Sequence, residues 1–500
     1  MTGPVSHSLL EPFSHFVAER MGLNFPPERW SDLARGIDSA AGEFGFSDAE
    51  ACIRWLLSSP PSNSRIEILA SHLTVGETYF LRDKAVFGFF AGQILPELIS
   101  LRRHVGRRLR VWSAGCATGE EPYSIAILIR QAIPDVASWN VTILATDINP
   151  GSLAKASRGI YSHWSFRELP AEFRTQYFRM AAGGLSEILP EFRRMVTFSV
   201  LNLAEDTYPS LWSNTNAMDI IFCRNVLMYF TPARARKAVE NLRRCLVDGG
   251  WLIVSASEAS QTLFTGFRTI HLPGATVYRK DGRALTHPES SVAWTRDPAA
   301  FEPALGTEPS LSAEELTAGT RECSSGAFGG VALADATAMA SELTVANQEP
   351  LGLELTPAQE FPVEPSGANA IALLARAKAN QGRLAEALVW CEKAVAADRL
   401  NAAHHYLRSV ILLESGAKAE AVKCLRQTLY LDPRFVLAHM TLGTEARREG
   451  NLAESAKHFE NALALLRAYR PEEPVPDADG ITAARMEQII QATLRSEEAR

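Results

Sequence analysis

Residues 110–129 read Arg-Val-Trp-Ser-Ala-Gly-Cys-Ala-Thr-Gly-Glu-Glu-Pro-Tyr-Ser-Ile-Ala-Ile-Leu-Ile. An apolar run leads into a turn bearing Gly115 and Gly119, two acids follow at Glu120 and Glu121, and Pro122 suits the first turn of a helix with an apolar face. A second apolar run, Val141–Thr146, ends at Asp147. An acid at the tip of the second strand of a βαβ unit is placed to accept hydrogen bonds from ribose hydroxyls. The glycine spacing is not that of a dinucleotide fingerprint, and Gly-x-x-x-Gly after a strand also occurs where a turn is merely tight. The acids discriminate further. A pyrophosphate favours bare amides at a helix N-terminus and is repelled by Glu120 and Glu121, whereas a ligand with a positive end is attracted. S-adenosylmethionine, with an ammonium and a sulfonium, has that charge.

Three further segments carry polar groups suited to the same place. Thr74–Asp83, containing Thr78 and Arg82, lies near the junction of a helical region with a sheet region. Asn202 and Leu203 follow one candidate strand, and Arg224, Asn225 and Tyr229 follow another, so both groups reach the C-terminal edge of the sheet where ligands bind in open α/β folds. The elements that must position them are candidate strands at Leu109–Ser113, Val141–Thr146, Val196–Val200, Met218–Cys223 and Trp251–Ala256, alternating with helical patterns. Thr276–Tyr278 is expected as a final edge strand. Gly249-Gly250 suits a turn from a helix into the strand at Trp251. Residues 1–100 read as helical, with apolar residues at helical spacing in Phe13–Ala18 and Ala51–Leu57.

Five hundred residues predict about two to four domains. Net charge is +3 over residues 1–283, −11 over 284–365 and +1 over 366–500, so the chain as a whole has no basic signature of nucleic-acid binding. Seven cysteines stand singly with no Cys-x-x-Cys pair, which points away from a disulfide framework or a zinc site and towards a reducing cytoplasm. No metal ligands are expected. The sequence lacks a run of about 18 apolar residues and a basic-then-apolar start, so neither membrane insertion nor secretion is expected. Residues 284–365, acidic and rich in Ala, Ser, Thr, Gly and Pro, read as a disordered linker. Beyond it Gly382, Gly416 and Gly450 recur at 34-residue intervals, each followed by Ala-Glu, the period of tetratricopeptide repeats. Ala387, Ala421 and Ser455 let paired helices approach, and stacked pairs leave a groove for a partner's peptide.

Taken together, Glu77–Asp83, Trp112–Ser124, Ala145–Asn149, Asn202-Leu203 and Phe222–Phe230 resemble the CheR family, the chemotaxis receptor glutamate methyltransferases. The resemblance spans about residues 10–280 and implies methyl transfer from S-adenosylmethionine to glutamate side chains on chemoreceptor cytoplasmic helices. It also implies that Thr78, Arg82, Glu120, Glu121, Asp147, Asn202, Leu203, Arg224 and Asn225 line the cofactor site, with Asp147 on the ribose. Arg82 and Tyr229 are the candidates for orienting the incoming carboxylate. Gly76 departs from the family, where Asn is frequent. Cys116 and Cys223 lie near the site and read as packing residues. A small β-subdomain within residues 155–200 is implied, and its ability to dock a receptor's C-terminal pentapeptide is open. The arginines 102, 103, 107, 108 and 110 form a basic connector that faces either an acidic receptor helix or solvent.

The expected chain is α/β. An all-helical N-terminal domain (1–100) precedes a doubly wound, Rossmann-like methyltransferase sheet with a small β-subdomain (101–283). The acidic linker (284–365), tetratricopeptide repeats (366–470) and a tail or capping helix (471–500) follow. Two other readings stand beside the receptor enzyme: a methyltransferase with another protein or small-molecule substrate, and a non-catalytic signalling adaptor.

Overall fold

A computed structural model describes residues 5–58, 62–104, 106–272, 275–280, 367–478 and 481–498. The expected acidic linker, 284–365, lies outside the described residues. Four helices, α1 (His7–Met21), α2 (Trp30–Ala41), α3 (Ala49–Ser58) and α4 (Asn63–Leu73), enclose a core of their own around Phe13, Val17, Leu33, Ile37, Ile53 and Leu69. The next helix, α5 (Lys84–Phe89), passes through a π turn into α6 (Leu95–Arg102). Lys84–Arg102 is long and apolar enough to cross a membrane by composition alone. Its Phe87 and Phe90 instead pack on Phe222 of the sheet, with ring centroids 5.9 and 5.2 Å apart.

The sheet follows. In chain order its elements are β1 (Arg108–Ala114), α7 (Glu120–Ala132), β2 (Asn140–Asp147), α8 (Pro150–Arg158), β3 (Ile160–Tyr161), α9 (Ala171–Tyr177), β4 (Phe178–Met180), β5 (Ser186–Ile188), α10 (Pro190–Met195), β6 (Val196–Val200), β7 (Met218–Phe222), α11 (Pro232–Cys245), β8 (Leu246–Ile253), β9 (Phe267–Leu272) and β10 (Ala275–Lys280). Seven strands pair in the order β6-β2-β1-β7-β8-β10-β9, the first five parallel and β10 antiparallel to both neighbours. Strand side chains alternate between two buried faces. Val111, Ile143, Ile220 and Ile253 enter one core and Trp112, Leu144, Ile221 and Leu252 the other. Strand order reverses at β1, between β2 and β7, and such a reversal opens a crevice at the strands' C-terminal ends.

Two expectations for the sheet need correction. Thr276–Tyr278 lies in β10, an inner strand, and the edge is β9, whose Arg268, Thr269 and His271 hide its strand character behind polar groups. Gly249 and Gly250 fall inside β8, which starts at Leu246, and not in a turn before it. The basic connector is divided: Arg103 and Arg107 are exposed, whereas the other three turn inward. Arg108 and Arg110 are buried, Arg102 pairs with the buried Asp219 at 2.6 Å, and Arg110 donates to Asn214 Oδ1 at 2.6 Å.

A second sheet, β3-β5-β4, is antiparallel. After residue 366 come three helix pairs: α12 (Ala368–Asn380) with α13 (Leu384–Ala397), α14 (Ala402–Glu414) with α15 (Lys418–Leu431), and α16 (Val436–Arg448) with α17 (Leu452–Leu466). α18 (Ala483–Glu498) packs on α17. Gly382, Gly416 and Gly450 close the first helix of each pair with φ of 76°, 86° and 80°, a left-handed turn that glycine adopts without strain. Leu211 and Trp212, from the segment before β7, meet Arg376 of α12 and Tyr406, Leu407 and Val410 of α14.

Candidate functional site

Five segments converge at the sheet reversal. The first is the turn after β1. Gly115 has φ of 86°, and a Cβ there would stand 2.3 Å from Val226 Cγ2, so only glycine lets this turn pass beneath the loop after β7. Ala117 N–H then donates to Asp147 Oδ2 and Asn149 N–H to Asp147 Oδ1, both at 2.9 Å. These amides fix the carboxylate in one orientation and leave its remaining lone pairs available. Burial pushes the Asp147 carboxyl above its usual range, against the pull of the amides of Asn149, Ala117 and Ile148.

Adjacent helical residues diverge by about 100°, and the two acids opening α7 part accordingly. Glu121 accepts from Ser113 Oγ at 2.7 Å and from Arg224 Nη1 at 3.0 Å, and it borders the cleft. Glu120 turns away, accepting from Thr118 Oγ1 at 2.6 Å and Ser165 Oγ at 2.9 Å, and is not among the cleft residues. Burial raises its carboxyl as well.

The third segment, Thr74–Asp83, is held over the cleft by Phe80. Its ring sits among Tyr161, Phe166 and Phe178 beneath the small sheet, and its N–H donates to Ser165 O at 3.0 Å. Arg167 covers the Tyr79 ring at 3.9 Å and pairs with Glu77 at 3.2 Å. The small sheet thereby sets where Thr78 and Arg82 stand. A Cβ at Gly76 would meet only Ser152 Oγ, at 3.5 Å, so the backbone leaves room for a side chain.

Arg224 lies between Glu121 and Asp83, and also donates to Arg82 O at 2.8 Å, while its buried Nε finds no partner among the described residues. Asn202 Nδ2 donates to Arg20 O at 2.7 Å, tying α1 to the end of β6, and its Oδ1 accepts from Ala204 N–H at 3.0 Å.

The cleft, with its open mouth included, spans about 1100 Å³. Thr78, Arg82, Glu121, Asp147, Asn202, Leu203, Arg224, Asn225 and Tyr229 all border it; of the residues expected to line the cofactor site or orient the carboxylate, Glu120 alone does not. Cys116 and Cys223 are buried, which pushes both thiols well above their ordinary range and away from thiolate chemistry.

Sequence reasoning missed two contributors. Glu258, buried, accepts from the N–H groups of Asn225 (2.7 Å), Val226 (2.8 Å) and Ser255 (3.0 Å) and so shapes the Arg224–Tyr229 loop. Ser255-x-x-Glu258 is a capping box, a signal present in the sequence. Met21, Leu23, Asn24, Phe25 and Arg29 add a wall from the N-terminal helices, joined to the loop through Asn24 N–H on Tyr229 O at 2.7 Å. No local sequence pattern marks them.

Residues 76–275 match the family described as "CheR methyltransferase, SAM binding domain". The chain is 32% identical over 230 residues to "Chemotaxis protein methyltransferase 2" of Vibrio cholerae, covering 46% of this chain and 78% of that protein. It is 34% identical over 221 residues to "Chemotaxis protein methyltransferase 1" of Pseudomonas aeruginosa, covering 43% and 77%. Among solved structures, magnesium protoporphyrin IX methyltransferase from Synechocystis with bound SAM aligns with 13% identity, 45% of this chain, 99% of that chain and a TM-score of 0.24.

Proposed function

The chain belongs to the CheR family of chemotaxis protein methyltransferases, and from this premise we propose that it methylates glutamate side chains on the cytoplasmic helices of chemoreceptors. S-adenosylmethionine is the cofactor of the matched domain and supplies a methyl group activated by the sulfonium. The cleft's own chemistry fits it: Asp147 presents a carboxylate, and Leu201 and Leu203 an apolar wall. In this reading Asp147 holds the ribose, while Thr78, Glu121, Asn202, Leu203, Arg224 and Asn225 complete the pocket. Glu120 acts from behind, through Thr118 and Ser165.

One observation supports a carboxylate substrate most directly. Arg82 and Tyr229 stand at the cleft, and among the described residues Arg82 forms no ion pair and the Tyr229 hydroxyl no hydrogen bond. The other cationic groups there are already paired, Arg224 with Glu121 and Asp83 and Arg29 with Asp32. Arg82 is therefore the cation left at the cleft, among the described residues, for an incoming carboxylate, with the Tyr229 hydroxyl as a second donor. A glutamate is ionised at neutral pH, so the enzyme has no proton to remove. Its carboxylate oxygen forms the new bond to the methyl carbon as the carbon–sulfur bond breaks, the electron pair passing to sulfur to leave S-adenosylhomocysteine. The protein's task is alignment and exclusion of water.

The helix pairs within residues 366–470 are, in the same reading, tetratricopeptide repeats that engage a protein partner, with 471–500 as their cap, on a cytoplasmic enzyme. Leu211 and Trp212 already cover part of the α12–α14 face, so a partner there must displace them. Incubation with methyl-labelled S-adenosylmethionine and a receptor cytoplasmic fragment tests the assignment. Label released as methanol by mild base supports a carboxyl ester; base-stable label, or none, overturns it.

A further inference from the structure

Arg485 belongs to α18, some two hundred residues beyond the matched segment, yet its guanidinium joins α4 to the end of β6, the two segments that lead into facing walls of the cleft. Nη2 donates to Val200 O at 2.9 Å, and Nη1 bonds the Glu67 carboxylate and Gln488 Oε1, the latter at 3.2 Å. The pair is largely buried, with the Arg485 side chain 14% exposed and that of Glu67 20%. Val200 stands in register with Asp147, and the chain runs from it into Leu201, Asn202 and Leu203. Glu67 lies on α4, whose end at Leu73 leads into Thr74–Thr78 on the facing wall.

We propose that Arg485 is a positioning residue for the cofactor site, setting the separation of the α4 wall from the β6 wall and coupling the C-terminal helix to the cleft from behind. The β6 end belongs to an edge strand, so its outer side is open to a donor from another domain. Removing the guanidinium leaves the Val200 carbonyl and a mostly buried Glu67 without their partner, and both walls relax. The remaining docking of the helix pairs is independent of Arg485. Glu414 accepts from Arg108 at 3.5 Å and from Asn216 at 2.9 Å beside the starts of β1 and β7, the edge of the sheet opposite the cleft. Any partner that draws α18 away thereby loosens the cofactor, a route from the repeats to catalysis.

The inference rests on S-adenosylmethionine occupying the cleft. Calorimetric titration of the full chain with S-adenosylhomocysteine tests both. Arg485→Ala is expected to weaken binding about tenfold and to raise KM for S-adenosylmethionine with kcat within about twofold. Arg485→Lys recovers part of the loss, because an ammonium pairs with Glu67 but lacks the planar fork that reaches two acceptors. Glu414→Gln, which perturbs docking at the opposite edge, stays within about twofold of wild type. Should Arg485→Ala fail to fold, Glu67→Gln replaces it and is expected to weaken binding severalfold. Wild-type affinity in the Arg485 or Glu67 variant overturns the proposal, as does an equal loss in Glu414→Gln. A wild-type chain that does not bind overturns the cofactor assignment beneath it.

Discussion

The two acids at the start of α7 are neighbours in sequence and have different work. Glu120 is raised by burial, so ionising it opposes folding; the stability it contributes is complete below its unfolded value, near 4.5, and is lost as pH rises through the higher folded value. Glu120→Gln removes that loss, since the hydroxyls of Thr118 and Ser165 can accept as well as donate. Thermal unfolding against pH should show the variant gaining on wild type from pH 4 to pH 7, with cofactor affinity changed by less than about threefold. Asp147→Ala behaves in the opposite manner. If Asp147 holds the ribose as proposed, the variant forfeits charge-assisted hydrogen bonds to two hydroxyls at about 1.5–3 kcal/mol each, and binding of S-adenosylhomocysteine should fall more than about a hundredfold while the fold persists.

At the level of elements, the sharpest constraint is the crossing of the Gly115 turn under Val226. Gly115→Ala combines a positive φ with a 2.3 Å approach, and a loss of about 2 kcal/mol or more in chemical denaturation is expected, with weaker cofactor binding as the Arg224–Tyr229 loop shifts. This part of the site was legible because each motif follows a buried apolar run, and strands of a parallel sheet deliver their following loops to one edge. What escaped was set by tertiary partners. Nothing near Met21–Arg29 says that Gly22 and Asn24 will bond to Thr231 and Tyr229. Consecutive acids read as one charged patch until the helix turns them apart. β9 was passed over because an edge strand with one wet side carries too few apolar residues to register. Glu258 was readable as a capping box, but its service to the Asn225–Val226 amides depends on where the strands lie.

At the scale of the whole molecule, the helix pairs are fastened to the sheet at both edges. On the side opposite the cleft the buried Glu414 is the partner of Arg108 and Asn216, and a Cβ on Gly382 would reach Val247 Cγ1 at 2.9 Å. Burial pulls the Arg108 guanidinium down to about 10, the mark of a cation that depends on its neighbour. Glu414→Ala strands that cation and should cost about 3–5 kcal/mol, seen as a lower melting temperature. The 34-residue period made the helix pairs legible in the sequence, whereas their docking was not, because Arg108 read as part of a basic surface.

In the proposed reading this cleft transfers methyl groups to glutamate. The most direct test of that reading is peptide mapping of a receptor cytoplasmic fragment after incubation with S-adenosylmethionine and either wild-type protein or Asp147→Ala. Methyl esters on glutamate side chains with wild type, and none with Asp147→Ala, are the predicted result. Methylation confined to other residue types, or esters formed equally by the Asp147 variant, would contradict it.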